Sequence, residues 1–231
     1  MLFIDLHTHT SYGSVCGYMT PNELIQQARL VGLDGVCITE HNQLWDPRAI
    51  KKLREEHDFL VIGGVEVDTD CGDILVFGLH QSVSNVYAAE ELRGMVDEEG
   101  VVMIAAHPLK DLAMAGDTPG HGLTIADVAR HPVFSFVDAI ELYNGATRIE
   151  EIEFLIKVSK RLNMKATGGS DAHAIFGLGS CFTVFENTVQ DEGDLIAEIK
   201  RGGYLGADWR SRALPISRHD VLGFADRSPG R

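Results

Sequence analysis

The chain has 231 residues, 45% hydrophobic and 23% charged, the composition of an ordinary globular protein and long enough for one large α/β domain or two small ones. Lys and Arg number 20 against 34 Asp and Glu, a formal net charge of -14. That balance disfavours sequence-independent binding of duplex nucleic acid, which needs basic surface for the phosphates, yet leaves room for a small phosphorylated substrate if bound cations reverse the local sign.

No apolar run approaches the ~20 residues that span a bilayer. The first residues, Met1 to His7, lack the basic and apolar regions of a signal peptide. These features predict a cytoplasmic protein that does not enter a membrane. Cys16, Cys37, Cys71 and Cys181 are scattered and form no CxxC pair, which predicts reduced thiols.

Apolar runs and helical patterns then alternate along the chain. Phe3 to Leu6 reads as a first strand. Thr20 can cap a helix, Pro21 suits its first position, and Glu23 completes a capping box. Leu24, Ile25, Ala28, Leu30 and Val31 give this helix an apolar face and Gly32 ends it. Gly35 to Thr39 is a second strand, Pro47 to Glu56 a charged helix, and Phe59 to Val67 and Ile74 to Leu79 are strand-like. A helix over Val86 to Glu99 precedes a strand over Val101 to Ala106. A short helix over Ile125 to Arg130, a strand over Asp138 to Leu142 and a helix over Arg148 to Leu162 follow. Lys165 to Gly168 and Phe182 to Phe185 read as strands, and Asp191 to Arg201 as a last helix. Strands alternating with helices predict a parallel α/β protein, either a barrel or an open sheet. The absence of GxGxxG after the first strand weakens a dinucleotide-binding sheet. The domain is expected over 1–208. The tail over 209–231, with Arg212, Arg218, Arg227 and Arg231, reads as a loosely ordered terminus or a flap over the site.

The histidines and carboxylates fall where these strands end. Asp5, His7 and His9 follow the first strand and Glu40-His41 the second. Glu66 ends the third, and His80 lies beyond Phe77-Gly78-Leu79. His107 follows Val101 to Ala106, Glu141 ends Ala139-Ile140, and Asp171 and His173 follow Thr167 to Ser170. In a parallel barrel all C-terminal strand ends meet at one face, so these residues converge. In extended chain alternate side chains point the same way, so His7 with His9, and Asp171 with His173, can reach one cation. Imidazole and carboxylate suit zinc, iron or manganese. A single strand-end His is usually structural. Six or more such positions are hard to attribute to core packing, because buried unpaired ionisable groups are costly. His57, His121, His131 and His219 lie outside these strand ends and read as surface residues.

The motifs Asp5-Leu6-His7-Thr8-His9, Thr39-Glu40-His41, Gly64-Val65-Glu66, Ala106-His107-Pro108, Glu141-Leu142-Tyr143-Asn144 and Ser170-Asp171-Ala172-His173 resemble, in order, those of the PHP (polymerase and histidinol phosphatase) superfamily. The resemblance runs from Met1 to about Gly206. It implies a distorted (β/α)7 TIM-like barrel, two or three divalent metal ions (Mn, Zn or Fe) at its C-terminal face, and phosphoester hydrolysis by metal-activated water. By the same resemblance His7, His9 and Asp171 hold a first ion, and Glu66 bridges to a second held by His107. His41 and His173 hold a third. Asp5, Glu40, Glu141 and Asn144 orient these ligands, with Glu40 also able to bind directly. Two departures stand out. Val15 occupies the position where the family often has another ligand, so the third site is weak or Cys16 substitutes. Asp73-Ile74-Leu75 stands where many members have a His, and His80 matches the placement in others and is assigned to the second ion.

The substrate implied is a small phosphorylated metabolite or nucleotide. Glu66, Asp171 and His173 are the candidate catalytic residues, and Lys110 and Arg148, shortly beyond ligand-bearing strand ends, are candidate phosphate clamps. Two alternatives stand beside this reading. One is an amidohydrolase-like enzyme that cuts C–N bonds, and the other a non-catalytic metal-binding module.

Overall fold

The computed structural model describes residues 1–81, 83, 88–96, 100–110, 123–212, 214–218 and 220–221. His121, His219, Arg227, Arg231 and the two ends of the expected Val86 to Glu99 helix lie outside these residues.

Among the described residues ten strands form two five-stranded sheets. The first has the order β10-β9-β1-β2-β3, with β1 over Leu2–Thr8, β2 over Gly35–Ile38, β3 over Leu60–Gly63, β9 over Cys181–Phe185 and β10 over Tyr204–Asp208. The second has the order β4-β5-β6-β7-β8, with β4 over Val65–Val67, β5 over Ile74–Phe77, β6 over Val102–Ala105, β7 over Ala139–Asn144 and β8 over Ala166–Gly169. Strands β1, β2 and β3 run parallel, as do β6, β7 and β8. Strand β5 is antiparallel to both its neighbours, β9 is antiparallel to β1, and β10 to β9.

The fold is therefore mixed α/β, and its ladders do not run unbroken round a closed ring. At the seams the sheets touch through single bridges, Thr8 with Ala172 and His41 with Glu66. Backbone bonds reinforce both: Asp171 N donates to His7 O (2.9 Å), His9 N to Ala172 O (3.0 Å), and Asn42 N to Glu66 O (2.7 Å). The seams close around the residues singled out as ligands.

The single strand expected over Phe59 to Val67 breaks in two at Gly64. A Cβ there would lie 2.6 Å from the Phe77 ring and 3.1 Å from the Thr39 methyl, so a side chain is sterically barred where the chain crosses from one sheet to the other. Strand β10, absent from the sequence expectation, continues the first sheet beyond β9.

The helices form for local reasons. Helix α1 (Pro21–Val31) carries the capping box: Glu23 N donates to Thr20 Oγ1 (3.3 Å), Thr20 N donates to Glu23 Oε2 (2.8 Å), and Gly32 closes the helix at φ 89°. Asp46 caps α2 (Pro47–His57). Next come α3 (Ala89–Gly94), α4 (Ile125–Val128), α5 (Ile149–Leu162) and α6 (Glu192–Arg201). Ile4, Leu6, Cys37, Leu75, Phe77 and Ile104 fill the space between the sheets. Helices α1 and α2 cover the outer face of the first sheet and α3 to α5 that of the second.

Described residues of the tail pack on the first sheet's outer cluster through Ile216 and Val221. Arg218 donates to Met1 O (2.9 Å) and pairs with Asp34, at the strand ends far from His7 and His9. Among the described residues no helix is long and apolar enough to cross a membrane.

Candidate metal centre

Seven of the expected ligands converge. His7, His9 and Glu66 are fully buried and His107 nearly so, while the His41 and His173 side chains are 31% exposed and form the mouth. His7 Nε2 lies 3.1 Å from His9 Nε2, 3.3 Å from Glu66 Oε2 and 3.5 Å from Asp171 Oδ1. His9 Nε2 lies 3.2 Å from Glu66 Oε2 and 3.3 Å from Asp171 Oδ1, and His41 Nδ1 is 3.1 Å from Glu66 Oε2. His107 Nε2 is 2.9 Å from Glu66 Oε1.

These atoms fit a divalent cation. Donors at about 2.0–2.1 Å from a tetrahedral ion stand about 3.3 Å apart, close to the spacings found. Glu66 Oε2 is buried among three imidazole nitrogens and yet receives no hydrogen bond. His7 directs Nδ1 to both oxygens of Glu141 (3.1 and 3.3 Å), which orients the ring and turns Nε2 towards the cluster. Among the described residues four groups of three donors, each within 4.8 Å of one another, result: His9, His41 and His173; His7, His107 and Asp171; His7, His9 and Glu66; and Glu66, Asp73 and His107.

The electrostatics agree. Burial alone would push His7 and His9 down, but Glu66 and Asp171 outweigh it and raise both, with Glu141 contributing at His7. Against the effect of burial, His7 and His107 hold the Glu66 carboxyl well below the usual range. His7 and His9 lower Asp171 likewise. Burial and the neighbouring His9 lower His173. A cation binding these imidazoles competes with protons for the same nitrogens.

Backbone irregularities aim the ligands. The pairing of β1 with β2 shifts register between Asp5 and Thr8, and that of β7 with β8 between Glu141 and Tyr143. His107 (φ 25°) and Asp171 (φ 54°) adopt positive φ, a cost that residues with a special duty commonly carry. At Gly169 a Cβ would lie 2.5 Å from His7 Cβ and 2.6 Å from Glu141 Oε1, so only glycine admits this pair.

Residues 5–116 match the PHP domain family, and residues 154–204 match the PHP-associated family. The chain belongs to the PHP superfamily. An uncharacterized protein of Methanocaldococcus jannaschii is 29% identical over 174 residues, covering 70% of this chain and 94% of that one. A two-domain protein of Bacteroides vulgatus containing a predicted PHP-like metal-dependent phosphoesterase superposes with a TM-score of 0.66 at 21% identity, over 96% of this chain and 68% of that one. The lesion-specific endonuclease PfuEndoQ of Pyrococcus furiosus superposes with a TM-score of 0.59 at 17% identity, over 99% of this chain and 67% of that one.

Within this PHP chain the remaining candidates fall outside the cluster in different ways. Glu141 accepts from His107 N (2.9 Å) and Asn144 Nδ2 (3.0 Å) as well as holding His7. Asp5 accepts from the backbone N–H groups of His7 (3.3 Å), Ser170 (2.8 Å) and Gly179 (3.3 Å), and burial pushes its carboxyl up to about 6. Glu40 does not reach the donor groups. Its oxygens accept from Thr10 N (3.2 Å), Trp45 Nε1 (3.3 Å) and the hydroxyls of Thr10 and Ser14, which anchors the loop after β1, and Ser14 Oγ lies 3.4 Å from His9 Nδ1. That loop is pinched shut by Ser11 N donating to Met19 O (2.8 Å), and Tyr18 N donates to His173 O (2.7 Å). Val15 is fully exposed and Cys16 half-buried, and neither joins a donor group.

His80 is a correction. Strand β5 runs antiparallel, so its end points away from the cluster, and His80 is exposed in a separate cleft with Trp45, Ile50, Arg54 and Glu192. The residue brought in is Asp73, at the start of β5, with Oδ2 3.7 Å from His107 Nε2. The signal lay in the connection. Asp68 to Asp73 is too short for a parallel crossover, so β4 and β5 had to form a hairpin. Asp68, its Oδ1 3.7 Å from His41 Nδ1, came into range through the same hairpin.

Lys110 is exposed one turn beyond His107, its N–H bonded to His107 O (2.9 Å). Arg148 caps α5 and donates to Glu151 Oε1 from Nε (2.9 Å) and Nη2 (2.6 Å). It lines a surface depression with Thr147, Glu150, Asp208 and Arg210.

Proposed function

We propose that the chain is a phosphoesterase that hydrolyses a small phosphorylated metabolite or nucleotide at this centre. The observation that carries the reading is the buried Glu66 carboxylate, which faces two sets of donors at once and receives no hydrogen bond at Oε2. His7, His9, His41, Glu66, His107, Asp171 and His173 would hold two or three divalent ions. Bound there, the ions would acidify water and neutralise charge developing on the phosphoryl group.

The chain supplies the remaining functions. Glu66 sits between the donor groups and keeps them in register. Glu141, itself held by Asn144, orients His7 and fixes the backbone of His107. Asp171, held ionised, and His173, held neutral, are the groups assigned to proton transfer, and His173 Nδ1 lies 2.9 Å from Asp171 O. Arg148 and Lys110 would meet the substrate's anionic groups, Arg148 by exchanging its Glu151 partner for a phosphate oxygen. Tyr12 and Tyr18 are exposed on the loop after β1 and Phe176 on the loop that carries His173, with the Tyr12 ring 4.5 Å from that of Trp45. This rim favours an ester bearing a flat or apolar group, such as a nucleoside.

The test is phosphate release from a panel of nucleotide, sugar and amino-alcohol phosphates, with amides and duplex DNA as further arms. Each is run after chelation and after return of Mn, Zn or Fe. Chelation-sensitive release from a small phosphate is expected. Turnover of amides alone would overturn the reading.

A further inference from the structure

We infer that the cleft beside Trp45 binds a small organic anion with a flat apolar body, and that its occupancy is felt by the loop after β1. This binding depends neither on the metal-centre reading nor on which bond the enzyme breaks.

The cleft exists because the first sheet stops. Strand β3 is the last of that sheet and β4 the first of the other, and the chain crosses between them at Gly63 and Gly64. Helix α2 brings Pro47, Ile50, Lys51 and Arg54 to the opening, spaced as one helical face. The two glycines leave their stretch of the wall bare, and at Gly63 a Cβ would press to 3.1 Å from Ile50 Cγ1. A space of about 160 Å³ remains, comparable with a ~150 Å³ cavity that holds a benzene-sized guest.

The lining is apolar inside and charged at its lip. Ile50, Val61 and Leu79 are buried and form the floor with Leu44, and Trp45 adds an aromatic wall. Lys51, Arg54 and His80 meet at the same opening. Lys51 shares its charge with Glu55 on the exposed side. Arg54 is half-buried, and its Nη1 donates to Gln190 O (3.3 Å), a neutral carbonyl that leaves the charge for an anion. Two acidic residues share the opening but are engaged at the start of α6. Asp191 Oδ1 accepts from Asp194 N (3.0 Å) and Glu192 Oε1 from Gly78 N (2.8 Å). An aromatic carboxylate, sulfonate or phosphate matches this surface, its body against the floor and Trp45 and its head towards Arg54.

Trp45 joins this cleft to the loop after β1. Its Nε1 donates to Glu40 Oε1 (3.3 Å), and its ring lies 4.5 Å from that of Tyr12. Glu40 in turn anchors the loop through the hydroxyls of Thr10 and Ser14. A ligand packed against Trp45 restrains its ring, and through it the loop that carries Tyr12 and Cys16. Cys16 is half-buried there, so the reactivity of its thiol reports how tightly the loop is held.

The experiment uses the full chain carrying Cys71→Ser, so that Cys16 is the accessible thiol beside the buried Cys37 and Cys181. Naphthalene-2-sulfonate is the probe, titrated by calorimetry. Naphthalen-2-ylmethanamine, with the same body and the opposite charge, is the control. The sulfonate should bind and the amine should not. Arg54→Glu should weaken the sulfonate by more than about tenfold, and Leu44→Trp, which fills the floor, should abolish its binding. Circular dichroism verifies that the variants fold. At saturation the probe should slow modification of Cys16 by iodoacetamide. Trp45→Phe keeps a ring but lacks the N–H that reaches Glu40, so it should bind the probe without that slowing. Equal binding of the amine, or unchanged sulfonate affinity in Arg54→Glu, would overturn the inference, as would a Cys16 rate indifferent to the probe. Binding lost in Phe176→Ala but kept in Leu44→Trp would place the probe at the rim of the metal centre and overturn it too. None of these readouts involves phosphate release, so the proposed function stands or falls separately.

Discussion

The two walls of the centre are built by different rules. On one, His7, His9, His41, Asp171 and His173 stand at the C-terminal ends of the parallel strands β1, β2 and β8, and imidazole dominates. On the other, Glu66 and Asp73 come from the β4–β5 hairpin, joined by His107 after β6, and carboxylate dominates. A parallel strand offers its ligands where it ends. An antiparallel strand in the same sheet offers them where it begins. The comparison teaches that ligand position follows strand direction, and that the donor chemistry of each wall is set separately.

The largest effect should come from the residue both walls share. Glu66→Ala is expected to lower metal content by more than one ion and kcat/KM by a factor on the order of 10³ or more. Native stoichiometry in that variant would break the comparison, because the walls would then be independent. His7→Ala and Asp171→Ala should each cost orders of magnitude in turnover, read as phosphate release.

A smaller effect is expected behind His7. Glu141→Gln keeps the shape of the side chain but removes the charge that orients the His7 ring and raises its basicity. Metal affinity should fall by roughly 10–100-fold. Titration of the stripped variant with Zn checks this, and unaltered affinity would mean that Glu141 serves only the backbone of His107.

Proton competition should sharpen the contrast. His7 and His9 are raised above their ordinary 6.5 because neighbouring carboxylates outweigh burial. They therefore keep their protons above pH 6.5, and an incoming cation must displace them. Metal affinity should rise with pH through and beyond the ordinary histidine range, and weaken as pH falls. Calorimetry in buffers of different ionisation enthalpy should register net proton release, and its absence would show the imidazoles already neutral.

The smallest effect is placed at the rim. Arg148→Ala should raise KM by about tenfold, with metal content unchanged. Unaltered kinetics in both Arg148→Ala and Lys110→Ala would return both to ordinary surface charge, with Arg148 serving as the partner of Glu151.

The imidazole wall was legible because period and strand direction act locally. His7 and His9 follow one apolar run, Asp171 and His173 another, and neither assignment needs the partner strand. The carboxylate wall was legible only in part. Glu66 falls inside β4 and His107 two residues after β6, but separating Asp73 from His80 required the direction of β5, a property of the Asp68 to Asp73 connection. Glu40 was ambiguous for a similar reason. Beside His41 it resembles a ligand, and only Thr10, Ser14 and Trp45, gathered from elsewhere in the chain, show how its oxygens are used. The break at Gly64 depends on Phe77, which packs there from another strand.

The pinched loop after β1 has an evolutionary consequence. Its neck is closed by Ser11 and Met19, its base is tied down by Thr10 and Ser14 on Glu40, and Tyr12, Val15 and Tyr18 project from its outer surface. A segment anchored at both ends can change its tip without moving what it is anchored to. Descendants of this chain could therefore exchange these three side chains, or lengthen the tip, and try new substrates while inheriting the ion-binding chemistry intact.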